Sequence, residues 1–494
     1  MKIHFSYKYF LILLITAAFF NCSKSETENI PTEVEINDFV WKGLNAYYLW
    51  QSYFPNLQDT RFSSQSQLNS FTAGFDSPES IFNSLLKKPE DRFSIIVDDY
   101  IALENAFQGI SVSNGMEFGL VRNKNGSDNV FGYVRYVVPA SDAATKGVTR
   151  GMIFSTIDGT QITTTNFRSL LFGTNTNYTV GFATYNNGNP ISNGNTIALS
   201  KSQIQENPVA IAKILNEGGK KIGYLLYNQF ARNYDGELNA AFNTFKSAAI
   251  DELIIDLRYN GGGSVATATY LGSMVTGQFN NEIYSKQSWN EKVHKANPDT
   301  ERFINRFTSQ IRNTDNSGNV VLEQSINSLN LTSVNFIVTA STASASELVI
   351  NSLRSYISVA AVGTTTVGKQ VGSITLYDSD GYSRTGTNLN TNHTYAMQPL
   401  VLEIVNKDDK NEINGFTPGS ANLSGVELAE DFGNLGVLGE RSDPLLDRLL
   451  TYIITGSKGI SKANDFNFIE VSNSKIELPT SNNMYVDLKE KLIK

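Results

Sequence analysis

Cysteine is nearly absent from this sequence: among 494 residues, Cys22 is the only one. A disulfide framework and a metal site built from cysteines are therefore excluded. The chain has three histidines, and none stands at a spacing typical of a metal site. It also lacks a long run of lysine and arginine, and its net charge of −8 argues against a nucleic-acid-binding protein.

The apolar run near the N-terminus is short. Phe10 to Phe20 spans about eleven residues, too few to cross a bilayer stably. Lys2 and Lys8 lie before this run, as in a signal peptide. Cys22 follows at a position that resembles the cleavage site of a bacterial lipoprotein. We therefore expect residues 1–22 to be a lipoprotein signal peptide with Cys22 as the lipidated residue; the alternative is an ordinary signal peptide with an incidental cysteine.

A polar stretch follows the predicted signal peptide. Residues 23–33 predict a flexible tether between the lipid and the folded protein. The leader thus predicts a protein of the bacterial cell envelope. It would be anchored by lipid to a membrane, on the periplasmic side or at the cell surface.

The segment from Val334 to Gly372 carries the strongest chemical signal. Its pattern predicts a strand, a helix and a second strand in succession. Ser344 and Glu347 have the S-x-x-E spacing of a capping box, which places Ser344 at the N-terminus of the helix. The amide of Ala345 lies beside it, where free N–H groups and the helix dipole can stabilise an oxyanion. Ser344 is therefore a candidate nucleophile, and an ordinary helix cap is the alternative.

A serine nucleophile needs a group that accepts its proton. Neither His294 nor His393 lies in a motif-like setting. Lys369 follows Ser344 by 25 residues, in the turn after the second strand, a separation that suits one strand–helix–strand crossover. To act as a base, this lysine needs a pKa lowered from ~10.4 to ~7, which costs about 4–5 kcal/mol and which burial can supply. An unrelated loop lysine is the alternative.

Three consecutive glycines follow another predicted strand, Leu253 to Leu257, and a helix begins at about Val265. Such glycines let backbone N–H groups approach a ligand closely. One interpretation is a phosphate cradle, but neither G-x-x-x-x-G-K-[ST] nor G-x-G-x-x-G is present. The other is half of an oxyanion hole, in which Gly261 or Gly262 donates and the amide of Ala345 is the other half.

TASASELV (Thr342 to Val349) followed by VGK (Val367 to Lys369), together with DLRYNGGG, resembles segments of peptidase family S41, the C-terminal processing proteases. The family uses a Ser-Lys dyad, so the resemblance implies Ser344 as nucleophile and Lys369 as general base. It also favours the oxyanion hole and implies a crotonase/ClpP-like α/β core. Ser373 stands where many members have a glutamine four residues after the lysine, and it is a candidate for orienting the lysine.

Residues 108–188 resemble a PDZ domain in the order of their parts, among them Gly115 to Leu120, a strand, and Met152 to Gly159. The resemblance implies that a peptide is captured as an added strand at a sheet edge. The residues implied for the carboxylate loop and the pocket are Met116, Phe118 and Leu120. A small β-rich domain without a ligand is the alternative.

The rest of the chain completes an α/β protein. Residues 34–105 have helical apolar spacing and predict an N-terminal helical domain. Residues 200–460 have a β-α-β succession, which predicts a core with parallel strands. Residues 174–195 predict hairpin turns and a linker, residues 278–320 a polar loop or lid, and residues 461–494 an accessory tail with no assigned role.

These observations predict an exported serine endopeptidase of S41 type that needs no metal or organic cofactor. In this prediction the PDZ domain captures polypeptides, often by the C-terminus in the family, for the Ser-Lys dyad. One alternative is a catalytically impaired, membrane-anchored peptide-binding protein. Ser373 departs from the family pattern, and so does Ser355, which stands where some members have an aspartate eleven residues after the serine. Hydrolysis of a small ester or amide is another, and the peptide-capturing domain argues against it. The oligomeric state stays open.

Overall fold

The computed structural model describes residues 33–458, 468–487 and 492–493. The predicted signal peptide, Cys22 and the predicted tether up to residue 32 lie outside the described residues. Across the three described ranges, none of the helices has the length and apolar character that crossing a membrane requires.

The N-terminal segment is mainly helical, in agreement with the prediction. Its elements are α1 (Glu33–Tyr47), α2 (Gln65–Thr72), α3 (Pro78–Ser84), β1 (Ile95–Val97) and α4 (Tyr100–Phe107). Ser77 caps α3 because its side chain accepts a hydrogen bond from the amide of Ser80. Phe39 and Leu44 of α1 belong to the same hydrophobic core as Leu225 and Ile255 farther along the chain. The segment therefore packs directly on the α/β core.

Residues 110–205 form a domain of mostly antiparallel strands, here called the β domain, with its own hydrophobic core. Its elements are β2 (Ile110–Ser113), β3 (Met116–Arg122), β4 (Val130–Val137), α5 (Asp142–Thr145), β5 (Ile153–Ile157), β6 (Thr160–Gln161), α6 (Phe167–Leu171), β7 (Asn177–Thr184), β8 (Ile191–Ser200) and β9 (Ser202–Gln205). Strands β3, β4, β5, β7 and β8 are successive neighbours in one sheet.

The β domain extends past the predicted boundary at residue 188. The sequence predicts turns and a linker over residues 174–195, whereas β7 and β8 pair there as a long hairpin, with Val180 opposite Ile197. Most of β8 is exposed. Because such a strand has no buried face, its sequence lacks the alternation of apolar and polar residues that identifies strands.

A six-stranded sheet forms the α/β core. The first half of the core contains β10 (Val209–Glu217), β11 (Lys220–Tyr227), α7 (Asp235–Ala248), β12 (Glu252–Asp256), β13 (Gly263–Ser264), α8 (Val265–Val275), β14 (Ile283–Trp289), α9 (Glu291–Ala296), β15 (Ile304–Arg306), β16 (Gln310–Thr314) and β17 (Val320–Ser325). The second half contains β18 (Ser333–Val338), α10 (Ala345–Leu353), β19 (Ser358–Gly363), β20 (Val371–Ser373), β21 (Leu376–Tyr377), β22 (Ala396–Gln398), β23 (Leu400–Val405), β24 (Ser424–Glu427) and α11 (Pro444–Thr455).

The order of the main sheet is β10-β11-β12-β18-β19-β24. From β11 to β24 all neighbours are parallel, as the β-α-β succession predicts. Helix α7 connects β11 to β12, and helix α10 connects β18 to β19. Parallel strands place their carboxyl ends at one edge of the sheet, where ligands commonly bind. The turns after β12 and β18 lie at this edge.

The prediction of a polar loop or lid for residues 278–320 is wrong, because two strands of this segment, β14 and β15, belong to a second sheet. Its order includes β20-β23-β14-β15, and β14 pairs antiparallel with β23, Trp289 opposite Leu402. The segment is therefore part of the packed core, not a free loop or lid. The middle of β14, Lys286 to Ser288, is polar, which hides the strand in the sequence.

The described part of the C-terminal tail contributes a strand to each of two sheets. These strands are β25 (Glu470–Asn473) and β26 (Met484–Tyr485). Strand β25 pairs antiparallel with β3 of the β domain. Strand β26 pairs in parallel with β13 and β20 of the second sheet. The tail, for which the sequence indicates no role, thus connects the β domain with the core.

Candidate active site

Ser344 lies in the turn between β18 and α10, where the helix begins as predicted. Its backbone has φ 63° and ψ −117°, a conformation that residues with side chains rarely adopt and that persists only where the surroundings fix it. The amide of Ser344 donates a hydrogen bond of 2.8 Å to Oε2 of Glu347, which is the Glu347 half of the predicted capping box. The residue is fully buried.

Glu347 connects this turn to the turn that carries Lys369. Its Oε2 accepts the amides of Ser344 and Lys369, at 2.8 and 2.9 Å. Its Oε1 accepts the amide of Gly368 at 2.7 Å and the hydroxyl of Thr366. Burial raises the pKa of Glu347, and these four hydrogen bonds lower it. One buried carboxylate therefore fixes the spacing between the two turns, beyond the helix-capping role that the sequence indicates.

Lys369 is 3% exposed, and burial is the main cause that lowers its pKa to about 7. The negative charges of Asp91 and Glu347 oppose this effect. The amine Nζ lies over the ring of Phe93, 4.7 Å from its centroid. Both Asp91 and Phe93 belong to residues 87–96 of the N-terminal segment, for which the sequence indicates no catalytic role. The pKa near 7 makes Lys369 suitable as a base at neutral pH.

Ser344 and Lys369 meet at a single atom, the backbone oxygen of Asn482 in the tail. The hydroxyl of Ser344 donates to this oxygen at 3.2 Å and the amine of Lys369 at 2.7 Å. The structure therefore brings the two predicted residues into one site. Among the described residues, neither side chain forms a direct hydrogen bond with the other, because the carbonyl oxygen is the acceptor for both.

The glycine turn after β12 lies against the turn of Ser344. Gly262 has φ 109°, and a Cβ placed on it would lie 2.6 Å from Cβ of Ser344 and 3.0 Å from the amide nitrogen of Ala345. Only glycine permits so close an approach. The amide of Gly262 donates to Oδ1 of Asn260 at 2.9 Å, so this predicted donor is already engaged. Within the described ranges, the amides of Gly261 and Ala345 have no hydrogen-bond partner.

The structure does not support Ser373 as the residue that orients the lysine. Its hydroxyl hydrogen-bonds with Oδ1 of Asn483 and with the backbone oxygen of Met484, each at 3.2 Å. Both of these partners belong to the tail, and no hydrogen bond between Ser373 and Lys369 occurs among the described residues. The groups around the amine are instead Phe93, Asp91 and Glu347.

The residues predicted to line the peptide pocket of the PDZ-like domain are core residues. Met116, Phe118 and Leu120 are at most 4% exposed and belong to the hydrophobic core of the β domain. They alternate on one face of β3, the face toward that core. The hydrogen-bonding edge of β3 is paired with the tail, with Leu120 opposite Ser472. This edge of β3 therefore already holds a strand of the same chain.

A buried ion-pair cluster holds the glycine turn. Arg258 is fully buried, and its Nη2 lies 2.7 Å from Asp256 and 2.6 Å from Asp443, the residue that caps α11. Glu430 lies 3.5 Å from Nη1 of the same guanidinium. The cluster ties the end of β12 to the start of α11, and therefore stabilises the chain just before the glycine turn.

Parts of this chain match known protein families. Residues 221–398 match the model of Peptidase family S41, and residues 35–95 match that of the Peptidase S41 N-terminal domain. A carboxyl-terminal-processing protease from Picosynechococcus sp. (strain ATCC 27264 / PCC 7002 / PR-6) is 34% identical over 68 residues, which cover 14% of this chain and 16% of that relative. The matched part is therefore about a sixth of that relative.

A solved structure from Bacteroides fragilis NCTC 9343, assigned to the S41 proteases, superposes with a TM-score of 0.61. It is 22% identical, and the alignment covers 85% of this chain and 97% of that chain. This similarity establishes that the fold is shared over nearly the whole of that protein.

Proposed function

We propose that this chain, a member of peptidase family S41 by its segments 35–95 and 221–398, is a serine endopeptidase with Ser344 as nucleophile and Lys369 as general base. One observation carries the proposal. The hydroxyl of Ser344 and the amine of Lys369 both reach the same carbonyl oxygen of the main chain, that of Asn482.

In the proposed reaction the uncharged amine of Lys369 accepts the proton of the Ser344 hydroxyl as its oxygen attacks the carbonyl carbon of the substrate. The amides of Gly261 and Ala345 would donate to the resulting oxyanion, because both are free of other partners in the described chain. Lys369 then returns the proton to the leaving amine. Water hydrolyses the acyl-enzyme by the same route, and no metal or organic cofactor takes part.

The surroundings of Lys369 favour a base at neutral pH. With a pKa of about 7, roughly half of the molecules have the uncharged amine at that pH. An ordinary lysine would be almost entirely protonated. This property argues against the alternative of a catalytically impaired peptide-binding protein, in which a departure at Ser373 would have disabled the lysine.

We further propose that the β domain is a PDZ domain that binds polypeptides. Strand β25 adds to the edge of β3 as an antiparallel neighbour. PDZ domains bind peptides in this way, as an added strand at a sheet edge. The substrate would be a polypeptide long enough to contact β3 and the dyad together. The buried side chains of Met116, Phe118 and Leu120 would support the binding edge from the core.

Export and lipid anchoring at Cys22 are also proposals. They rest on the leader sequence, with its short apolar run and single cysteine. Metabolic labelling with a radioactive fatty acid tests the anchor: the wild-type chain should incorporate the label and fractionate with membranes, whereas Cys22→Ser should not. Equal labelling of the two chains would rule out Cys22 as the modified residue.

Active-site labelling tests the proposed chemistry. The purified chain should react with a fluorophosphonate probe and hydrolyse casein, and Ser344→Ala and Lys369→Met should do neither. Lys407→Met, at a partly exposed lysine, is the matched control and should behave as wild type. Proteolysis that persists in Ser344→Ala would contradict the assignment. Peptide binding without labelling or hydrolysis in any variant would favour the peptide-binding protein.

A further inference from the structure

We propose that residues 468–487, here called the docked tail, are a built-in inhibitor of the active site. This inference rests on the proposed function, since it names the regulation of the same site. The docked tail contacts the edge of the β domain, then the Ser-Lys pair, then the second sheet. It therefore lies along the whole path that a polypeptide substrate would take.

At the β domain, the docked tail binds as an added strand. The amide of Arg122 donates to the oxygen of Ile469 at 3.0 Å, and the amide of Ser474 donates to the oxygen of Phe118 at 2.9 Å. Arg135, which is buried, pairs with Glu470 at 2.9 Å. A substrate strand would need these same main-chain groups of β3, so the tail and the substrate compete for them.

At the dyad, the docked tail passes the nucleophile in a turn at Asn482, whose φ is 47°, and then continues into β26. The amide of Gly263 donates to the oxygen of Asn483 at 2.6 Å, and the amide of Val486 donates to the oxygen of Ser373 at 3.0 Å. Met484 is fully buried. Met484 also lines the small cavity beside Ser344 and Lys369, so the docked tail forms part of its wall.

The carbonyl of Asn482 is held in an orientation that prevents reaction. Its oxygen accepts hydrogen bonds from Ser344 and Lys369 themselves, not from the amides of Gly261 and Ala345. The serine proton therefore points to the carbonyl oxygen instead of to the base. The amine of Lys369 donates a hydrogen bond to the same oxygen, whereas catalysis requires it to accept the proton of Ser344. A segment bound in this way blocks the dyad, whereas a substrate would place its carbonyl oxygen against the free amides.

Charged contacts distributed along the docked tail keep it in place. Besides the Glu470 pair, Lys475 lies 3.1 Å from Glu206 and Asp487 lies 2.5 Å from Arg232. None of these side chains contacts Ser344 or Lys369. Removing the charges of Glu470, Lys475 and Asp487 should therefore loosen the tail while the dyad itself stays unaltered.

The test uses the full chain with the triple substitution Glu470→Gln, Lys475→Gln and Asp487→Asn. A matched control makes the same three kinds of change at exposed or partly exposed pairs elsewhere: Glu301→Gln, Lys407→Gln and Asp408→Asn. We expect the triple variant to react with a fluorophosphonate about tenfold faster than wild type, and to cleave a short fluorogenic peptide faster by the same factor. The control should match wild type. A synthetic peptide of residues 468–487 should slow the triple variant again.

Hydrogen exchange measured in a Ser344→Ala background separates this inference from the proposed function. The amides of Ser474 and Val486 should be protected in the full chain and should exchange faster when the triple substitution is added. Equal, fast exchange in both chains would show that the tail is not docked and would overturn the inference. A labelling rate unchanged by the triple substitution, although exchange shows that the tail is released, would also overturn it. Docking without labelling in any chain would refute the proposed function and the inhibitory role together.

Discussion

Lys369 donates its backbone amide to the same oxygen of Glu347 that accepts the amide of Ser344. The base and the nucleophile are therefore positioned by their main chains, through one buried carboxylate. Their side chains do not hold each other in place. The two residues can therefore stay close together while the Ser344 hydroxyl and the Lys369 amine bind another group, here the oxygen of Asn482.

The first prediction concerns Glu347→Ala. The substitution leaves the amides of Ser344, Gly368 and Lys369 buried without an acceptor, at a cost of about 1–3 kcal/mol each. We expect the free energy of unfolding to fall by about 3 kcal/mol or more and fluorophosphonate labelling to be lost. Urea unfolding and labelling measure the two effects. Glu403→Ala, at an exposed glutamate, is the control, and equal stability of the two variants would contradict the role given to Glu347.

The β18–α10–β19 unit could be predicted from local sequence. A β-branched apolar run, the S-x-x-E spacing and a second apolar run are all local patterns, and the right-handed crossover between parallel strands follows from general rules. The same patterns placed Ser344 at the helix start and Lys369 after the next strand. The sequence alone could therefore predict that Ser344 and Lys369 lie close together.

Contacts between distant parts of the chain could not be predicted in this way. The oxygen that Lys369 contacts belongs to Asn482, 113 residues later, and the ring beneath its amine belongs to Phe93 in the N-terminal segment. No local pattern encodes such contacts, because they arise only when the domains pack. Strands such as β8 and β14 were missed for another reason, since exposed or polar strands lack apolar alternation.

The second prediction is the pH dependence of the reaction. Since the uncharged amine of Lys369 is the proposed base and its pKa is about 7, the rate should be low in acid and rise with pH. The half-maximal value of kcat/KM should lie at about pH 7. Rates of peptide hydrolysis between about pH 5 and 9 measure it. A rate that continues to rise toward pH 10, as for an ordinary lysine, would contradict the proposed environment of the amine.

The third prediction concerns stability. The pKa of Lys369 is about 7 in the folded chain and ~10.4 in the unfolded chain, so between these values the unfolded state binds the additional proton. Stability should therefore increase with pH across this range and be lowest below pH 7. Lys369→Met lacks this penalty and should be more stable than wild type at pH 7, by at most about 4–5 kcal/mol. Urea unfolding at several pH values should show the difference shrinking toward pH 10, and a constant difference would refute it.

The fourth prediction concerns Asp91, whose negative charge is the largest influence that raises the pKa of Lys369 against the effect of burial. Replacing this charge in Asp91→Asn should lower the pKa of Lys369 further. The midpoint of the pH–rate profile should then move to lower pH, a change that a purely structural role of Asp91 would not produce. Asp128→Asn, at an exposed aspartate, should leave the midpoint unchanged. A shift to higher pH in Asp91→Asn would contradict the argument.

The fifth prediction compares two glycines with positive φ. Gly262 has φ 109°, and a Cβ there would crowd Ser344 and the oxygen of Asn483, whereas Gly126 has φ 77° and open space around it. Both alanine variants should lose about 1 kcal/mol of stability from backbone strain, measured by urea unfolding. Only Gly262→Ala should also displace Ser344 and the free amides beside it, and lower the rate of fluorophosphonate labelling by about 100-fold. Equal labelling of the two variants would show that the close approach at Gly262 is not required.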